Sequence, residues 1–300
     1  MTENYILLGI SLLAYLGGNI TRKYFTDRTA STSSSGFVFN AVTCAAAALV
    51  ILCMGGFGSL SVFTLLLALL FGAVVALQGI VTVGALKCGP MSYTTVITSF
   101  STLITALSGV MFFGEHLGAV QIVGIALVLA SFVLAVKSDG EKKSAGAKWL
   151  ILCIIAFITT GGIGIMQKLH QSSDFKEELN AFLIISDLTA ALICAVSAVV
   201  LKSHEDRATA EKPARDQKGM LVLLAIMLLN GICIALNGKF NLFLSGVMDS
   251  AVFFPTVNGG GLVLSTVAAI VLFKERLTLK QWIGILLGTA AVVLLCNPFA

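Results

Sequence analysis

Phe113-Gly114-Glu115-His116-Leu117, followed by Gln121, Gly124 and Ile125, returns later in the chain as Phe273-Lys274-Glu275-Arg276-Leu277, followed by Gln281, Gly284 and Ile285. The copies stand 160 residues apart in a chain of 300. Each closes a long apolar segment rich in small and hydroxyl residues, and each opens another apolar segment. A phrase repeated in the same setting marks two related halves. Repeated halves with a site between them are a common plan of secondary transporters.

The bulk of the chain agrees with a lipid environment. It is 57% hydrophobic and 11% charged, where a soluble domain carries about 25% charged residues. Charge this sparse does not cover a water-facing surface. The 29 glycines suit close helix approach in a membrane. The net charge of +4 comes with no basic aromatic patch, so nucleic acid is not an expected partner. The cysteines Cys44, Cys53, Cys88, Cys153, Cys194, Cys233 and Cys296 contain no CxxC pair and lie in or beside apolar segments. They read as small reduced hydrophobes, with no metal or cofactor expected. No basic stretch precedes the first apolar run, so a cleaved signal peptide is not expected.

A membrane-crossing helix needs about 20 apolar residues. Ten segments qualify, near 4–21, 36–54, 62–86, 91–113, 118–137, 147–167, 180–201, 218–239, 248–272 and 279–296. The expected fold is therefore all-α integral membrane. Its longest loop, Lys202 to Gln217, is polar and holds Pro213. Sixteen Lys and Arg residues fall on one side of the loop pattern, and only Lys168, Lys176 and Lys239 on the other. The positive-inside rule makes the first side cytoplasmic and puts both termini outside, in a multi-pass protein of the plasma (inner) membrane. Five helices per half is odd, so the halves, 1–140 and 141–300, enter the membrane in opposite senses as inverted repeats. Gly17, Gly18 and Lys23 parallel Gly161, Gly162 and Lys168. Gln78 and Gly79 parallel Asn237 and Gly238, and Asn40 parallels Asp187.

The twin phrase resembles the helix 4–5 and 9–10 junctions of the drug/metabolite transporter superfamily, in its ten-helix EamA-like branch. Phe113, Gly114, Glu115, Leu117, Gln121 and Gly124 carry the first match. Phe273, Glu275, Leu277, Gln281 and Gly284 carry the second, with Lys274 in place of the glycine. The resemblance covers essentially the whole chain. It implies a carrier for amino acids, sugars, nucleotide sugars, cations or other metabolites. Two departures matter. Helix 1, Ile6 to Ile20, lacks the carboxylate that the small multidrug antiporters of the superfamily use. Ala235, Leu236, Asn237, Gly238 and Lys239 approach the Gly-Ala-Leu-Asn-Lys run of nucleotide-sugar carriers, but with an inserted glycine.

Several residues are candidates for chemistry. Asp187 sits inside the seventh apolar segment, where a charge costs about 2.5–3.5 kcal/mol. It is either a proton-coupling site or substrate-amine contact, or a structural hydrogen bond. Asn19, Asn40, Gln78, Asn230, Asn237 and Asn258 either line a cavity or staple helices, because an amide in hydrocarbon needs partners. Thr94, Thr98, Ser101, Thr105 and Ser108 share one face of helix 4. Thr98 and Ser101 are the expected cavity wall, the alternative being bonds to their own preceding carbonyls. Pro255 with Gly259, Gly260 and Gly261 is the expected hinge, kinked or locally unwound; close packing is the alternative. Lys23 and Lys168 are read as helix-end residues that snorkel to headgroups. Glu115 and Glu275 are read as caps on the following helices, with Thr278 and Gln281 forming a capping box. Gly284 and Gly288 serve either a homodimer seam or internal packing.

The function expected is alternating-access transport, in the export direction, of a small polar or amphipathic metabolite such as an amino acid. Tyr15, Phe253 and Phe254 are expected among the lining aromatics. The alternatives are a multidrug or organic-cation proton antiporter centred on Asp187, and a sugar or nucleotide-sugar carrier. An enzyme is not expected, since His116, His170 and His204 read as loop residues without a paired nucleophile. No nucleotide-binding motif is present.

Overall fold

The structure, a computed structural model, describes residues 2–29, 33–88, 94, 97–135, 146–205, 217–273 and 278–295. Among these residues there is no strand, and ten α-helices follow in order. They are α1 (Thr2–Arg28), α2 (Ser33–Gly55), α3 (Val62–Cys88), α4 (Thr102–Phe113), α5 (Ala119–Ala135), α6 (Ala147–Gln171), α7 (Leu179–Glu205), α8 (Gln217–Val247), α9 (Ser250–Phe273) and α10 (Leu279–Leu295). A 3-10 turn, Lys176–Glu178, leads into α7. Seven helices, α1 to α3 and α6 to α9, are long and apolar enough to cross a membrane. The segments Ile97–Phe113, Ala119–Leu134 and Leu279–Leu295 are apolar but shorter. A helix satisfies its own backbone, as a segment in hydrocarbon must. Large apolar side chains point outward, with Val62 and Met111 each 72% exposed. That outer surface suits lipid.

The boundary expected near residue 140 lies outside the described residues. So do 206–216 of the long polar loop, and Lys274, Glu275, Arg276 and Leu277 of the second motif copy.

Contacts divide the chain into two compact units. The first holds Met1–Leu12, Leu77–Lys176 and Asn241–Ala300; the second holds Leu13–Ala76 and Glu177–Phe240. In the first, α10 packs extensively on α5, and α9 packs on α4, α5 and α10. Its core includes Val128, Phe132, Ala291 and Leu295. Small residues permit the approach: a Cβ on Gly124 would meet Leu295 at 2.6 Å, and one on Gly288 would meet Val263 at 3.1 Å. Gly284 and Gly288 are both buried here, so internal packing uses this pair. In the second unit α2 lies along α7, and the Phe71 and Phe182 rings sit 5.1 Å apart.

Four local expectations need correction. First, α9 does not unwind: it is helical without a break through Pro255, Gly259, Gly260 and Gly261. A Cβ on Gly259 would come within 3.2 Å of Val128, and one on Gly260 within 3.2 Å of Leu12, so these glycines admit neighbouring side chains. The irregular backbone lies in the fourth segment. There Ser101 N–H donates to Thr98 O, Leu103 to Phe100 and Ile104 to Ser101, a three-residue spacing tighter than α. Second, α1 continues to Arg28, so Lys23 does not end a helix. Third, Lys168 does not snorkel: its side chain is 8% exposed and ion-paired. Fourth, His170 is fully buried at the end of α6 rather than in a loop.

Candidate functional site

Two helical stripes in the second unit face a common space. Ala14, Tyr15, Gly18, Asn19 and Arg22 recur at three- and four-residue intervals on α1; Asn230, Cys233, Ile234 and Asn237 do so on α8. Together they line a cavity of about 270 Å³. Glycine sets how closely the helices approach. A Cβ on Gly17 would lie 2.9 Å from Cys233 Sγ, and one on Gly18 would lie 3.8 Å from Asn230 Nδ2.

Asn230 organises this wall. It is 1% exposed, and its Nδ2 donates to Gly18 O and to Thr21 Oγ1, both at 2.7 Å. Thr21 donates back to Gly17 O at 2.8 Å. A carbonyl only accepts, so the Gly18 contact fixes which end of the amide faces α1. The other end, Asn230 Oδ1, is buried and meets no hydrogen-bond partner among the described residues. Leaving a buried acceptor unmet costs about 1–3 kcal/mol.

Arg22 supplies the cation. Its guanidinium lies 5.8 Å from the centre of the Phe39 ring, within cation–π range. Phe39 is itself buried and packed on Phe25 and Leu223, so the platform is firm. Among the described residues no carboxylate forms an ion pair with Arg22. Sequence reasoning missed Arg22 because the apolar run ends at Thr21, which made the arginine look like a loop cation. The signal that could have found it is its place on the Tyr15–Asn19 stripe, one turn further along.

Of the residues proposed from sequence, Asn19, Asn230 and Asn237 come together here, with Tyr15. Asn40 and Asp187 belong to the same unit but not to the cavity lining. Asp187 is part-buried on α7, and Cys44 of α2 lies within electrostatic range of it, of Cys194 and of Arg22. The remaining candidates belong to the first unit. Gln78 Nε2 donates to Thr82 Oγ1 at 3.3 Å. Asn258 Nδ2 donates to Thr102 Oγ1 at 2.7 Å, tying α9 to the irregular turn. Thr98, Thr105 and Ser108 donate to their own helix carbonyls, and Ser101 is buried. Thr94 instead receives the Trp149 indole N–H at 2.9 Å.

The first unit also carries a buried ion pair. Lys168 Nζ lies 2.7 Å from Glu115 Oε1 and donates to Met248 O at 3.0 Å. Glu115 also accepts from the backbone N–H of Ser250 at 2.7 Å and from its hydroxyl at 3.1 Å. Glu115 therefore caps α9, at its first turn, and not the following helix α5. Gln121 serves α5, accepting from Gly118 N–H at 2.7 Å. Thr278 and Gln281 repeat that contact as a reciprocal box, Thr278 N–H to Gln281 Oε1 at 2.9 Å and Gln281 N–H to Thr278 Oγ1 at 3.4 Å. Gly114 closes α4 in the left-handed conformation at φ 67°, which glycine adopts without strain.

With this geometry in view, comparison with known proteins adds the fold. No protein-family model and no curated protein matches the chain. A solved crystal structure is similar to it with a TM-score of 0.74, over 98% of this chain and 96% of that one, at 14% identity. At that identity the likeness speaks for the fold alone, and it extends over the whole length of both chains.

Proposed function

We propose that this protein is a secondary transporter of the drug/metabolite transporter type, moving a small polar or amphipathic metabolite by alternating access. The observation that carries the reading is the α1–α8 cavity. Three amides, a tyrosine and an arginine converge there, in a chain with seven helices apolar enough to cross a membrane. Polar groups inside apolar helices generally face a site or pathway. Helix pairing supports the ten-crossing inverted repeat: α2 packs on α7, α4 on α9 and α5 on α10, each helix on the one five places later. Related halves about a pseudo-two-fold axis would bring equivalent helices together in this way. Glu115 after α4, Lys168 in the last turn of α6, and Met248 and Ser250 where α8 passes into α9 also meet, as helices that cross alternately require.

The test is counterflow in proteoliposomes holding the purified chain. A carrier concentrates labelled substrate against a preloaded unlabelled pool. Preloaded vesicles that only equilibrate label would indicate a channel and remove the alternating-access reading.

A second reading, a proton-coupled organic-cation antiporter, draws on Asp187, a carboxylate part-buried in α7. Asp187→Asn should then abolish proton-driven uptake while leaving folding intact, measured as pH-gradient-driven accumulation. Full accumulation in that variant would dismiss this reading.

A further inference from the structure

We infer that the buried Glu115–Lys168 pair is a releasable latch. It holds the ends of α4, α6 and α8 on the start of α9, and it opens as α4 turns about its tightened stretch at Thr98–Ile104. The inference rests on the carrier reading only for the statement that this opening serves transport.

Three observations carry it. The first is the burial of the pair, each side chain being 8% exposed. Taking two charges out of water costs about as much as their attraction returns, so a buried pair adds little net stability. Opening it gives both charges back to water. An apolar plug at the same place would resist opening, since exposure costs about 25 cal/mol per Å² of apolar surface.

The second observation is where the bonds run. Lys168, in the last turn of α6, donates to Met248 O just past α8. Glu115, just past α4, accepts from the backbone N–H and the hydroxyl of Ser250 at the start of α9. Glu115 is fixed to α4 itself: Gly114 turns the chain back in the left-handed conformation, and Glu115 N–H donates to Gly109 O at 3.1 Å. A Cβ on Gly109 would collide with the Glu115 carboxylate, so that glycine makes room for it. The carboxylate therefore travels with α4.

The third observation is the lever. Regular α-helix runs from Thr102 to Phe113. Before it lie the three-residue hydrogen bonds of Ser101, Leu103 and Ile104, and tightening of this kind in mid-helix is a common hinge. Along the lever, α6 offers glycine at two contacts. A Cβ on Gly161 would lie 2.7 Å from Ile104, and one on Gly164 would collide with Thr105. At those two places α4 rests on backbone, with no α6 side chain locked against it.

The experiment reads opening without any cargo. Ser250 is 1% exposed and bonded to the Glu115 carboxylate, whereas Cys153 is fully buried beside Ala85 and Trp149 of the same unit. Two full-length chains are compared in detergent. One carries Ser250→Cys with all seven native cysteines replaced by alanine; the other keeps Cys153 alone. The probe is a small charged methanethiosulfonate, which reaches a thiol through water. The thiol at 250 should react measurably. Lys168→Met should raise its rate about tenfold or more, the scale of one lost charged hydrogen bond. Adding Glu115→Gln should bring the rate back toward its starting value, and Cys153 should stay unlabelled throughout. No change at 250, or an equal rise at Cys153, would mean a static structural pair and overturn the inference.

If a variant does not fold, residue-resolved hydrogen exchange on the unaltered chain decides. A lever that turns whole opens both its ends and leaves its middle closed. The amides of Leu103 and Ser250 should exchange at one shared rate, about tenfold or more faster than those of residues 106–109. Exchange of all of them together, or of Ser250 alone, would equally overturn the latch. The carrier reading fails separately. A latch that opens in a protein without counterflow in proteoliposomes stands without transport, and counterflow through a protein whose pair stays shut keeps the carrier and removes the latch.

Discussion

Lys168 shows how strongly the setting of a single charge decides its role. At the end of an apolar run, a lysine is expected to extend toward lipid headgroups. Here it turns inward, to Glu115 and to the carbonyl of Met248. Removing one member of a buried pair leaves the other charge uncompensated, at a cost of about 3–5 kcal/mol. Lys168→Met should therefore lower the apparent unfolding temperature in detergent markedly. Adding Glu115→Gln should recover most of the loss, because the glutamine still accepts from Ser250 without a charge. Equal damage from the single and double variants would mean that the pair contributes packing rather than charge. Neither member was misread for want of a signal: both stood out as charges among apolar residues. Their mutual distance in sequence, 115 to 168, hid the pairing. The amides were more legible, since any amide in such a run must find a partner. Asn19, Asn230 and Asn237, singled out this way, line one cavity, whereas Arg22 was passed over because hydropathy ended α1 seven residues before the helix does.

At the scale of the element, helix contacts in this chain depend on missing side chains. A Cβ on Gly231 would approach Ala46 Cβ to 2.5 Å and the backbone oxygen of Thr43 to 3.0 Å. Backbone cannot turn aside, so α8 would have to move away from α2. Gly231→Ala should cost about 1–3 kcal/mol, as overpacking does, read as a lower unfolding temperature in detergent. An unchanged temperature would mean that α8 shifts freely there. The run lengths made seven membrane-length helices legible, although α1 and α8 run on past the ends that hydropathy gave them. Their interior irregularities were not legible. Three successive glycines after a proline looked like a break, yet α9 is continuous, and at Gly259 and Gly260 the missing side chains make room for Val128 and Leu12. The tightened backbone lies instead at Thr98–Ile104, in a stretch whose hydroxyls bond to their own carbonyls and compete with the regular ladder.

On the scale of the whole molecule, charge makes the statement that packing does not. With 16 of the 19 basic residues on one side of the loop pattern, both termini are expected outside. A reporter that is active only in the cytoplasm should be silent when fused at Ala300 and active when fused in the loop between α7 and α8. The opposite pattern would reverse the orientation. The twin motif pointed to two halves along the sequence. Compact contact groups follow another division, because each unit draws residues from both halves. Helices from before and after residue 140 pack on one another, α2 on α7, α4 on α9 and α5 on α10.

That mixing has a consequence for how the protein is made. Every residue of the second unit, cavity included, lies before Asn241. At about 5–20 residues per second, the ribosome needs roughly another 3–12 seconds to deliver residues 241–300. When Phe240 is added, Glu115 and Lys168 already exist, but Ser250, whose backbone Glu115 caps, does not. The nascent chain thus holds a finished set of cavity residues while the first unit still awaits α9 and α10. Insertion factors that shelter incomplete helices in the membrane would meet this protein with one unit's residues complete and the other's ion pair lacking its final partner.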